Sequence, residues 1–152
     1  MRSVQHYIDM YRTTAQQAVP DEQVVAVGVL TRAGSMKALA VSQLSPVAGM
    51  IMRRRQKKRA NGFPLTVLMA VTPTRLISFH YKPRGTSVKI VRKVAEWPWH
   101  AVRVQAAKDG SGRIMFQLAD GTSVELQNSR SLGQYAHLND PFYAALGLGA
   151  PV

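Results

Sequence analysis

Residues 65–82 read LTVLMAVTPTRLISFHYK, and the way this stretch divides decides the fold. Two apolar runs meet at Thr72-Pro73-Thr74, where proline presets one turn position, so the stretch reads as a buried β-hairpin. The first run puts Leu65, Val67, Met69 and Val71 on one face and Leu68 and Ala70 on the other, the pattern of a central strand covered on both sides. The second alternates Leu76, Ser78, His80 and Lys82 against Ile77, Phe79 and Tyr81.

On the N-terminal side, Gln23 to Thr31 is a valine-rich strand with Gly28 inside it, the mark of a bulge or of a bend where a sheet curls. Before it, Val4, Tyr7 or Ile8, Tyr11, Ala15 and Ala18 recur at helical spacing until Pro20, which predicts an amphipathic helix laid on the domain or used as an oligomer contact. Between that strand and the hairpin, Ser45-Pro46 resembles a helix start and Asn61-Gly62 a stop, so a helix is expected over about Pro46 to Arg59. On the C-terminal side, Val88 to Val94 is a strand with Lys89 and Lys93 on one face and Val88, Ile90 and Val94 on the other. Pro98 then breaks the chain before an alternating strand, Ala101 to Ala107. Arg113 to Leu118 and Thr122 to Gln127 follow, joined at Asp120-Gly121 by a primed hairpin turn. Asn139-Asp140-Pro141 opens a closing helix, with Phe142, Ala145 and Leu146 on one side.

The fold class is therefore α+β and mainly β. It is a seven-stranded bent sheet or partly open barrel, with an N-terminal helix, a C-terminal capping helix and a basic helical insertion after strand one. Residues 1–22 hold the N-terminal helix, 23–147 the domain with its insertion at 32–63, and 148–152 a tail. At 152 residues and 46% hydrophobic composition the chain has a single-domain length and a real core. It has no cysteine, so neither a disulfide framework nor thiolate chemistry is available, as suits a reducing compartment. MRSVQHYIDMYR lacks an apolar signal core, and the weakly polar run 38–52 falls short of a membrane span, so a cytoplasmic chain is expected, membrane-peripheral at most.

The order of these elements, with AVTPTRLISF at 70–79, WPWHAVRV at 97–104, RIMFQLADGTSVEL at 113–126 and PFYAALG at 141–147, resembles bacterial pleckstrin-homology-like domains of the GRAM-related kind. The resemblance spans about Val24 to Leu146 and implies a non-catalytic module for membrane or protein contact. The basic Lys-to-Arg-x-Arg signature of lipid-binding eukaryotic members is missing from the first hairpin, so phosphoinositide binding is not carried over.

Charge supplies the strongest functional signal. Twenty Lys and Arg against eight Asp and Glu give a formal charge of +12, which calls for a polyanionic partner. Six of those cations, Arg53, Arg54, Arg55, Lys57, Lys58 and Arg59, fall within one heptapeptide directly after Met50, Ile51 and Met52. Their mutual repulsion gives no folding advantage, although they also suit a helix C-terminus. Lys82, Arg84 and Lys89 flank one turn and extend an anion-binding surface. The charge suits an acidic membrane face or an acidic protein, and nucleic acid next, because the run has no interleaved aromatics for base stacking. Trp97 and Trp99 share a face across Pro98, as packing groups or as interface anchors. His6, His80, His100 and His137 have no metal-ligand spacing, the acids are scattered, and no nucleophile or phosphate-loop motif occurs, so neither a cofactor nor an enzymatic activity is expected.

Overall fold

Val67, Met69 and Val71 are buried on one side of the second strand and Leu68 and Ala70 on the other, so both faces of the sheet need cover. The computed structural model describes residues 3–32, 63–64, 66–84, 87–108, 112–128 and 137–148. Its strands are β1 (Ala26–Arg32), β2 (Thr66–Val71), β3 (Arg75–Arg84), β4 (Ser87–Pro98), β5 (Val102–Ala106), β6 (Arg113–Leu118) and β7 (Ser123–Asn128). Helix α1 (Val4–Ala18) precedes them, helix α2 (Asp140–Ala145) follows, and a 3-10 turn, Trp99–Ala101, links β4 to β5. All pairings are antiparallel, in the open order β4-β3-β2-β1-β7-β6-β5.

The sheet bends so that its two wings share one inner core. Trp97 of β4 and Phe116 of β6 come from opposite wings, yet their rings are 5.8 Å apart. Phe63 stacks on Trp97 from the other side at 5.7 Å. The outer face of the β1 to β4 wing is covered by α1. Ser3 caps this helix by accepting from the His6 N–H, Tyr11 meets Tyr81 edge-on at 5.8 Å, and Ala15 and Val19 are buried against the sheet. Burial raises the pKa of both phenols, Tyr81 more than Tyr11. Gln16 fixes the exit of the helix. Its amide donates to the Val19 and Glu22 carbonyls and accepts from the Val24 N–H, which leads the chain into β1.

Three local expectations are corrected, and Asn139 takes a role of its own. Gly28 is not a bulge, since β1 and β2 keep unbroken register from Ala26 to Thr31. A Cβ on Gly28 would lie 2.6 Å from the Phe142 ring, so the glycine leaves room for α2 to sit on β1. Asn139 does not cap α2 with its side chain. Its amide instead accepts from the Val29 N–H at 2.7 Å and donates to the Val29 carbonyl at 2.8 Å and the Asn128 Oδ1 at 2.6 Å. Tyr143, rather than Ala145, joins Phe142 in the core. The Asp120-Gly121 turn is a three-residue loop rather than a primed two-residue one. The Gly121 N–H bonds the Leu118 carbonyl, Gly121 follows at φ +88°, and the Asp120 carboxylate accepts from the Thr122 N–H and hydroxyl. The helix expected over Pro46 to Arg59 lies outside the described residues.

The close fit at Gly28 can be checked with a double-mutant cycle. Gly28→Ala should cost about 1–3 kcal/mol by overpacking, and Phe142→Ala about 3–5 kcal/mol by truncation. In urea melts the double variant should lose clearly less than the sum of the two, because shortening Phe142 removes the clash.

Candidate functional site

Alternation on β3 places Leu76, Ser78, His80, Lys82 and Arg84 on the inner face and Ile77, Phe79 and Tyr81 under α1, as the sequence pattern indicates. β4 follows a different parity, because two register shifts leave Val94 and Val91 as extra residues opposite β3. Lys89 and Lys93 therefore do not share a face, and neither do Val94 and the Val88–Ile90 pair. Lys93 lies opposite Phe79 on the α1 side and ion-pairs with Glu96 at 3.6 Å, while Arg92 joins Lys89 on the inner face. Val88 and Ile90 pack under α1, whereas Val94, Ala95 and Trp97 face the inner core.

The inner face of the β3–β4 hairpin consequently changes character along its length. Its first rungs, Leu76 opposite Trp97 and Ser78 opposite Ala95, belong to or lie beside the core. The next three are His80 opposite Arg92, Lys82 opposite Lys89 and Arg84 opposite Ser87. Lys82, Arg84, Lys89 and Arg92 are exposed and His80 is half-buried. Among the described residues none of these four cations has an ion-pair partner. Directly opposed like charges disfavour strand pairing by about 0.2–1 kcal/mol, so Lys82 facing Lys89 is a cost to folding. At the inner end of this ladder the Ser78 hydroxyl is fully buried and, among the described residues, without a hydrogen-bond partner.

The carboxylates are engaged elsewhere. Asp21 and Glu22 pair with Arg75 at 2.8 Å each, and Glu96 bonds the same guanidinium. The Thr74 hydroxyl, donating at 2.7 Å, and then Arg75 hold the Glu22 carboxyl below its ordinary pKa. Arg75 begins β3 and Arg84 ends it, so the acidic cluster stands at one end of the strand and the cation ladder runs to the other, its first rung at His80 about 16 Å from Arg75. Asp9 pairs with Arg12, Glu125 with Arg113 and Asp140 with His137.

The sequence nominated Lys82, Arg84 and Lys89, and the structure gathers them on one surface with Arg92 and His80, which the sequence did not nominate. Arg53, Arg54, Arg55, Lys57, Lys58 and Arg59 lie outside the described residues. The flanking chain leaves β1 at Arg32 and re-enters β2 at Thr66, whose hydroxyl donates to the Tyr81 carbonyl beside Lys82. Trp97 lies between Phe63 and Phe116, and the Trp99 indole N–H donates to the Thr72 carbonyl at 2.8 Å, so both half-buried rings have partners within the fold. Among the described residues no three His, Asp or Glu converge as a metal set, and no helix is long and apolar enough to cross a membrane. Depressions of about 250 Å³ beside Gln105, Met115 and Glu125 and about 320 Å³ beside Arg12, Gln16 and Gln23 are lined by no paired nucleophile and base.

No family model matches the chain, and no curated protein matches it. A solved structure of Vav1 inhibited by an allosteric inhibitor overlaps with it at a TM-score of 0.41 and 11% identity, over 91% of this chain and 33% of that one. The chain spans about a third of that structure's length, and an overlap of this quality carries no argument about function.

His80 gives the ladder a measurable signature. Burial first, then the Arg92 and Lys82 charges, lower its pKa below that of a free histidine. The unfolded chain therefore binds the proton more readily, and the His80 contribution to stability is complete above about pH 6.5 and is lost as pH falls through the folded pKa. His80→Gln should remove that component, so the gap between parent and variant urea midpoints should change between about pH 7 and pH 5. In an NMR titration the imidazole of the parent should titrate below that of a free histidine, and Lys82→Gln should raise its pKa.

Proposed function

We propose that the chain is a non-catalytic, pleckstrin-homology-like interaction module that holds an acidic membrane face or an acidic protein partner against the inner face of its β3–β4 hairpin. The observation that carries this reading is the opposition of Lys82 and Lys89, with Arg84 and Arg92 beside them and no carboxylate in reach among the described residues. A fold that needed only a stable hairpin would place opposite charges or a Thr pair there. The run Arg53 to Arg59 adds charge in the segment that joins the same ends of β1 and β2. The ladder carries no Phe, Tyr or Trp and its one ring is the half-buried His80 imidazole, so base stacking has little platform, and nucleic acid ranks behind the other anions.

The test is cosedimentation with anionic and with neutral vesicles, beside titrations with acidic peptide and duplex DNA, at about 0.15 M salt, where long-range attraction is screened. The pair Lys82→Gln and Lys89→Gln should leave the urea midpoint unchanged or raise stability by about 0.2–1 kcal/mol, because it removes opposed like charges. The same pair should weaken binding to the preferred anion by about tenfold or more and flatten its salt dependence. Parental affinity and salt slope in that variant would remove the ladder from the function.

A further inference from the structure

The ladder is a spaced array as well as a patch of charge. His80, Lys82 and Arg84 form one file along β3 at two-residue steps, and Arg92 and Lys89 a second along β4, three residues apart across the extra residue Val91. Two residues of β-strand advance about 6.6 Å, and three rungs cover about 13 Å. That is also the repeat of same-side side chains in any extended polypeptide, and five of its residues cover the same length. Lipid headgroups move laterally and impose no spacing of their own, so a fixed array gains selectivity only against anions that are themselves covalently spaced.

We propose that the inner face of the β3–β4 hairpin receives an acidic polypeptide segment in extended conformation, with Asp or Glu at alternate positions set against the His80–Arg92, Lys82–Lys89 and Arg84 rungs. This rests on the anion-binding reading above and names its partner as protein. The segment lies along the hairpin, its carboxylates pair with side chains that have no other partner among the described residues, and its alternate side chains face outward. The outer face of the hairpin cannot take this role, because Phe79, Tyr81, Val88 and Ile90 are covered there by α1. The free edge of β4 is also disfavoured as a template for backbone pairing, because its two register shifts interrupt a regular ladder.

The experiment uses fluorescence anisotropy with the full chain at about 0.15 M salt. The probes are a Glu-Thr alternating peptide, a peptide of the same composition with its glutamates in adjacent pairs, and the Lys-Thr counterpart. Phosphatidylserine vesicles and a duplex DNA are titrated in parallel. The alternating peptide should bind about tenfold tighter than the paired one, and Lys82→Gln with Lys89→Gln should erase that difference. The Lys-Thr peptide should not bind. Equal affinity for the two acidic peptides would overturn the register match, and vesicle or duplex binding without peptide binding would overturn the choice of partner while leaving the anion-binding reading intact. Failure of every anion to bind would overturn both.

Discussion

Burial of β2 on both faces is the constraint from which the rest of the architecture follows. Val67, Met69 and Val71 need one apolar cover and Leu68 and Ala70 another, and one sheet cannot supply both. The inner cover comes from bending the sheet until the β5 to β7 wing lies over the β2 to β4 wing, with Trp97 held between Phe63 and Phe116. The outer cover comes from α1, held in place by Gln16 and by the Tyr11–Tyr81 contact. The β4 strand must serve both, and its register shifts are how it does so. They let Val88 and Ile90 pack outward near one end and Val94, Ala95 and Trp97 pack inward near the other.

Much of this was legible in the sequence because period-two alternation survives wherever a strand is regular. On β3 it separated Leu76, Ser78, His80 and Lys82 from Ile77, Phe79 and Tyr81 correctly, and the apolar alternation of β6 and β7 held for Ile114, Phe116, Val124 and Leu126. It failed on β4, where each extra residue reverses the parity of everything beyond it. Alternation alone puts Val94 with Val88 and Ile90 for that reason, and Lys93 with Lys89. Gly28 and Asn139 escape a local reading for a different reason. A glycine in a strand or an Asn before a helix is read from its near neighbours, whereas here both answer to partners far away in the chain.

The distribution of charge shows what the fold does and does not require. Three of the eight acids converge on Arg75, where they tie the end of α1 to the starts of β3 and of the β2–β3 turn. The Thr72 and Thr74 hydroxyls complete that cluster through Glu22. At the far end of the same strand the cations have no such partners among the described residues, and the hairpin there is held by Tyr81, Ile90 and Val88 under α1. The apolar face supplies the packing, which leaves the polar face free to carry groups that oppose folding slightly.

The Asn139 side chain bonds both main-chain groups of Val29, next to the place where β7, Ser123–Asn128, pairs among the described residues with Leu30 to Arg32. The bonded residues are 110 positions apart in the chain. On a ribosome, β1 would emerge long before the amide that completes its hydrogen bonding, and the Val29 N–H and C=O would stay open to any other strand that reached them first. Contacts of this sequence separation also form slowly, because the intervening loop must close before it is rewarded. Guarding β1 during that interval falls to its other neighbour, β2, which makes the antiparallel β1–β2 pairing the step on which correct assembly turns.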